Sequence, residues 1–119
     1  MYKLLEIVDG NVTTEHRLKE GVFAIGRNPD NQLQPDNSSV SGNHATISLT
    51  PSPYLDGTME VSVEDLDSTN STLVNGKRVK KQLLKHGDML ALGSLNLKFI
   101  DEQALALGGT RILLQEYEA

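Results

Sequence analysis

Apolar and polar residues alternate with a period of two along much of the chain. Ala45, Ile47 and Leu49 alternate with Thr46, Ser48 and Thr50; Met59, Val61 and Val63 with Glu60, Ser62 and Glu64; Leu95, Leu97 and Phe99 with Asn96 and Lys98. Successive side chains of a strand point to opposite faces, so each run predicts a strand with one face buried and the other toward water. Turn-forming residues punctuate these runs: Asp9-Gly10, Glu20-Gly21, Asn28 to Asn31, Asp36 to Gly42, Pro51 to Gly57, Asp67 to Ser71, Asn75-Gly76, His86-Gly87 and Gly93-Ser94. A turn roughly every ten residues is the rhythm of an all-β sandwich or barrel. Asn75-Gly76 suits a type I′ hairpin turn, and the glycine of Gly93-Ser94 suits the first central position of type II′.

Helical periodicity is nearly absent before residue 100. The tail offers one candidate, Asp101 to Leu107, which Gly108-Gly109 interrupts; Arg111 to Ala119 beyond it reads equally as strand, helix or frayed end. The chain therefore divides into one β domain over residues 1–100 and a tail over 101–119 whose structure the pattern leaves open. At 119 residues there is no room for a second independently folded core.

Composition narrows the function. Sixteen acidic against eleven basic residues give a net charge of −5, which disfavours nucleic acid as a partner. The absence of cysteine removes disulfides, thiolate nucleophiles and Cys-based metal sites, and fits a reducing compartment. The first residues lack the apolar core of a signal peptide, and no stretch approaches a membrane-spanning length. A cytoplasmic location is expected, with no membrane partner and no glycosylation at the Asn-x-Ser/Thr triplets of Asn11, Asn37 and Asn70.

Three clusters of small polar residues fall in turns: Gly26-Arg27 after the apolar run Val22 to Ile25, Ser41-Gly42-Asn43-His44 before the Ala45 strand, and the loop Asp65 to Ser71 leading through Thr72-Leu73-Val74 to Asn75-Gly76. Each alone is ordinary turn chemistry. In this order, Gly26, Arg27, Ser41, His44, Ser68, Thr69, Asn70, Val74, Asn75 and Gly76 resemble the signature of the forkhead-associated (FHA) domain, over about Tyr2 to Ile100. The resemblance implies a sandwich of two twisted antiparallel sheets, about eleven strands, with binding loops gathered at one end. It also implies a non-catalytic reader of phosphothreonine in a partner protein or peptide phosphorylated by a Ser/Thr kinase, needing neither cofactor nor metal.

The residue types fit that task. A phosphothreonine carries about −1.5 to −2 charge and three acceptor oxygens, so its site needs donors. Arg27 supplies a planar fork of N–H groups with permanent charge, and Ser41 a short hydroxyl. Backbone N–H groups of the Gly42-Asn43 turn can close around an anion. By resemblance, Thr69 flanks the phosphate region and Asn70 holds the peptide main chain with an amide that both donates and accepts. His44 is by resemblance architectural, and Gly26, Asn75 and Gly76 read as structural positions.

Other readings stay open at this level. Ser41, His44 and Asp65 or Asp67 can be written as the nucleophile, base and acid of a hydrolase, although no Gly-x-Ser-x-Gly elbow is present. A protein-interaction module of the same fold without phosphate dependence is the alternative prompted by two departures from the family pattern. Gly42 stands where many members carry a basic residue, and Ser71 stands in Asn70-Ser71-Thr72 where Asn-Gly-Thr is common. If position 71 requires positive φ, serine is strained there by about 1 kcal/mol or more. The basic run Lys77-Arg78-Val79-Lys80-Lys81 reads as a solvated strand face with Val79 inward, close enough to the loops to be of interest for acidic residues of a bound peptide. His16 and His86 have no spacing that makes a metal site.

Overall fold

The computed structural model describes residues 1–54 and 57–103. Ten strands appear among them: β1 (Tyr2–Val8), β2 (Asn11–Leu18), β3 (Gly21–Ile25), β4 (Ala45–Pro51), β5 (Met59–Asp65), β6 (Thr72–Val74), β7 (Lys77–Val79), β8 (Lys81–Leu83), β9 (Met89–Leu92) and β10 (Leu95–Asp101). They form a six-stranded sheet in the order β2-β1-β10-β9-β6-β7 and a four-stranded sheet in the order β3-β4-β5-β8. Every strand pairing is antiparallel. Against the implied count of about eleven strands for a sandwich of this kind, one further pairing is reduced to an isolated parallel bridge between Ile25 and Leu33.

The period-two runs bury the side they were expected to bury. Ala45, Ile47, Leu49, Val61 and Val63 line the inner face of the smaller sheet; Leu4, Val74, Leu90, Leu92, Leu95, Leu97 and Phe99 line that of the larger. Their intervening residues are half-buried or exposed. Each fully buried Leu, Ile, Val or Phe contributes about 1.5–3 kcal/mol, and burial on both inner faces holds the sheets together.

The hairpin turns follow their sequence chemistry. Asn75 and Gly76 both have positive φ, 51° and 85°, as a type I′ turn requires. Gly93 has φ 62° while Ser94 does not share the positive φ, the asymmetry of type II′. At the opposite end of β10, Tyr2 pairs with Asp101 and the Glu102 amide donates to the Met1 carbonyl at 2.9 Å, so the two ends of the sheet's central strands lie side by side. Asp101, the first residue of the helix candidate, closes β10, and Glu102 and Gln103 after it are helical. The rest of the tail reading, from residue 104 on, lies outside the described residues.

The basic run behaves as read: Lys77, Arg78, Lys80 and Lys81 are exposed, and Val79 packs against the core. Among the described residues no helix is long and apolar enough to cross a membrane.

Candidate functional site

The three polar clusters meet at one end of the sandwich. Two are joined by backbone: the Arg27 amide donates to the Ser41 carbonyl at 3.1 Å and the Asn28 amide to the Gly42 carbonyl at 3.0 Å. This pairing requires Gly26. A Cβ there would lie 2.2 Å from the Gly42 oxygen and 2.8 Å from Asn31 Nδ2, so any side chain would force the two loops apart. The third cluster joins through Ser41 Oγ, which accepts the Thr69 amide at 3.0 Å.

His44 holds all three in register. It is fully buried, its Nδ1 accepts the Ser41 amide at 3.0 Å, and its Nε2 faces the Ser71 carbonyl at 2.8 Å. A backbone amide only donates and a carbonyl only accepts, so the ring carries its hydrogen on Nε2 and donates to Ser71. Both ring nitrogens are thereby committed to backbone. Neither contacts the Ser41 hydroxyl, so the nucleophile–base pair of the hydrolase reading is not formed. Asp65 is likewise engaged elsewhere, and Asp67 bonds Lys80 Nζ at 3.0 Å.

Asp65 shapes the third loop from below. Its buried carboxylate accepts the Ser68 hydroxyl at 2.5 Å, the Ser68 amide at 3.2 Å and the Thr72 hydroxyl at 2.8 Å. Burial alone would push this carboxyl up, but the Ser68 and Thr72 donors outweigh it and hold Asp65 below the ordinary carboxylate range. Lys80 adds a clamp, donating to the Asp65 carbonyl at 2.8 Å as well as to Asp67.

The upper surface of this assembly is made of donors. Arg27 donates its Nε–H to the Val40 carbonyl at 2.6 Å, and its two terminal nitrogens have no hydrogen-bonding partner among the described residues. Ser41 Oγ receives the Thr69 amide and retains its own proton to donate outward. Asn70 donates Nδ2 to the Ser39 carbonyl at 2.8 Å, leaving its side-chain oxygen as an acceptor. Asn43 is exposed, with its oxygen 3.3 Å from Asn31 Nδ2. Gly42 is half-buried against the end of the Asn28 side chain. Arg27, Ser41, Gly42, Asn43, Thr69 and Asn70 thus lie together, with Gly26 and His44 beneath them. Asn75 and Gly76 lie beyond the far end of β6. There Asn75 Nδ2 donates to the buried Asp88 at 2.9 Å, its side-chain oxygen accepts the Met89 amide, and the turn is structural.

Three contributors carry no sequence signal that separates them from neighbouring loop residues. Asn31 is buried and donates Nδ2 to the Gly42 carbonyl at 2.8 Å, Ser39 supplies the carbonyl that Asn70 grips, and Asn28 packs on Gly42. Only their Asn and Ser identities within a polar stretch mark them. His16 and His86 lie elsewhere, against Glu6 Oε2 at 2.5 Å and the Asp101 amide at 3.1 Å. Among the described residues no three His, Asp or Glu side chains gather as for a metal ion. The site is a loop surface; a hollow of about 380 Å³ lined by Tyr2, Val61, Leu84 and Phe99 opens elsewhere on the molecule.

This fold and loop arrangement are those of a known class. Residues 23–93 match the FHA domain family model, and the chain belongs to the FHA domain family. It is 38% identical over 101 residues to the ABC transporter ATP-binding/permease protein Rv1747 of Mycobacterium tuberculosis, covering 85% of this chain and 10% of that one. The chain therefore spans a tenth of that relative's length. Among solved structures it is similar to a domain from work on phosphothreonine-dependent FHA domain interactions, at 30% identity and TM-score 0.70 over 84% of this chain and 95% of that one. It is also similar to the FHA domain of FhaA in complex with the intracellular domain of Rv3910, at 31% identity and TM-score 0.69 over 83% and 99%.

The left-handed conformation suspected at position 71 is present: Ser71 has φ 65° and turns its carbonyl onto His44. Ser71→Gly should raise stability in urea unfolding by up to about 1 kcal/mol, and Ser71→Val should lower it by about 1–2 kcal/mol. Because the Asp65 carboxyl is held down in the folded state, its stabilising contribution is complete above the ordinary value near 4 and disappears as pH falls through the folded value. The Tm difference between wild type and Asp65→Asn should accordingly be largest at pH 7 and narrow below pH 4.

Proposed function

We propose that this domain binds a phosphothreonine-containing segment of a partner protein, phosphorylated by a Ser/Thr kinase, without performing catalysis. One observation carries the reading. Arg27 is anchored through Nε while its terminal nitrogens have no partner among the described residues, directly beside a Ser41 hydroxyl that has a proton to give. Two donors of this kind on adjacent loops, without a neighbouring carboxylate bonded to either, match the acceptor-rich phosphate. The backbone of Gly42 and Asn43 adds donors on one side. Thr69 flanks the phosphate, and Asn70 presents its side-chain oxygen to the peptide main chain.

The recognition domain runs from β1 through Asp101, the last residue of β10, one residue past the division at 100 expected from the sequence. The domain acts in the cytoplasm, in kinase-linked signalling or assembly; a chain without cysteine needs no oxidising compartment to fold. Support for a phosphothreonine ligand also comes from the similar domain studied for phosphothreonine-dependent interactions, and support for a protein partner from the FhaA complex.

Calorimetry with the phosphorylated and unphosphorylated forms of one threonine peptide tests the reading. Measurable affinity for the phosphorylated form alone is expected, and equal affinity for both refutes it. Arg27→Ala should cost roughly 2–5 kcal/mol of binding with the fold intact, as truncating one partner of a desolvated charge pair does. Binding that survives this change would identify the phosphate-independent interaction module instead. Affinity should also weaken between pH 7 and 5 as the phosphate takes up its second proton near pH 6; a flat profile would count against recognition of the dianion.

A further inference from the structure

We infer that Gly93 and Ser94, in the hairpin between β9 and β10, are positioning residues of the phosphothreonine site, acting through Ser39. The inference rests on the recognition reading above and assigns a role to residues outside its signature. Two successive carbonyls of one loop hold the two site side chains that have to act together: the Ser39 carbonyl accepts Asn70 Nδ2 at 2.8 Å, and the Val40 carbonyl accepts Arg27 Nε at 2.6 Å. The separation between the phosphate-binding guanidinium and the main-chain-binding amide is therefore set by the orientation of a single peptide unit and its neighbour.

That peptide unit is fixed from the other sheet. Ser39 Oγ accepts the Ser94 amide at 2.8 Å, lies 3.0 Å from Ser94 Oγ, and donates to Asn37 Oδ1 at 2.6 Å. Asn37 closes the ring: its Nδ2 donates to Ser94 Oγ at 2.8 Å and its Oδ1 accepts the Ser39 amide at 3.0 Å. Gly93 lies flat against the Ser39 carbonyl. A Cβ at position 93 would fall 2.3 Å from that oxygen and 2.4 Å from Ser39 Oγ, and φ 62° is strained for any side chain there. The carbonyl that Gly93 leaves room for is the one Asn70 uses. Thus β9–β10 of the six-stranded sheet sets the spacing between groups carried on loops that flank the four-stranded sheet.

The test uses Ser94→Ala, its conservative counterpart Ser94→Thr, Ser39→Ala and Gly93→Ala in the full chain. Ser94→Ala and Ser39→Ala should fold with near-wild-type Tm yet bind the phosphothreonine peptide roughly five- to tenfold more weakly, the loss of about one hydrogen bond. Ser94→Thr, which keeps the hydroxyl, should restore affinity. In the unliganded protein, the NMR signals of the Asn70 side-chain amide and the Arg27 Nε–H should move in the Ala variants and return in Ser94→Thr; a merely structural role for the hairpin would leave them in place. Gly93→Ala should give the largest displacement of the Asn70 signal if it folds, and the serine variants decide the matter if it does not. Wild-type discrimination of the phosphopeptide with both side-chain signals unmoved in Ser94→Ala and Ser39→Ala overturns the positioning role while leaving the recognition reading intact. If the wild type shows no phosphate dependence, the recognition reading fails, and the unliganded spectra still decide whether the hairpin sets these two groups.

Discussion

The site depends on a buried imidazole that has no freedom left. His44 spends one nitrogen on the amide of Ser41 and the other on the carbonyl of Ser71, and these backbone groups belong to two separate loops, β3–β4 and β5–β6. A buried polar ring stabilises a fold only when both of its nitrogens are satisfied, so each loop is held at the distance the ring dictates. A residue type often associated with proton transfer here acts as a rigid spacer. The same geometry explains why a serine tolerates the left-handed backbone at position 71: its carbonyl must face the ring.

Around this spacer, polar bonds cross the sandwich where apolar packing would otherwise suffice. Thr72 on β6 donates to Asp65 on β5, joining the sheets beneath the site, while Lys80 ties the outside of the same loop. The exposed Lys80–Asp67 pair is worth little by itself. Its companion bond to a backbone carbonyl gives it a geometric role. The outcome is a local excess of donors on a molecule whose net charge is −5, so the attraction for an anion is built from a few placed groups rather than from a general field.

Much of this was legible in the sequence, for identifiable reasons. The period-two runs of β4, β5 and β10 predicted both strand identity and inward face, because side-chain alternation and burial are the same fact seen twice. Asn75-Gly76 and Gly93-Ser94 predicted their turns because φ > 0 has few suppliers. Gly26, Arg27, Ser41, His44 and Asn70 were found by their order, although no local pattern says that they converge. What stayed hidden is the support. Asn31, Ser39 and Ser94 are small polar residues in polar loops, and their roles depend on contacts between segments far apart in the chain, such as Ser39 with Ser94. Among the described residues ten strands answer the implied count of about eleven, and the segment around Leu33 makes a single bridge, with too few paired residues to form a ladder.

The pairing of Tyr2 with Asp101 bears on how such a domain is mounted. Six residues of β10 separate Asp101 from the hairpin that touches Ser39, about 20 Å of extended chain. Tyr2 and Asp101 thus share the base, while the receptor loops crown the opposite pole. Attachment points at that base stand apart from the surface that grasps, so a connection made there leaves the grip open.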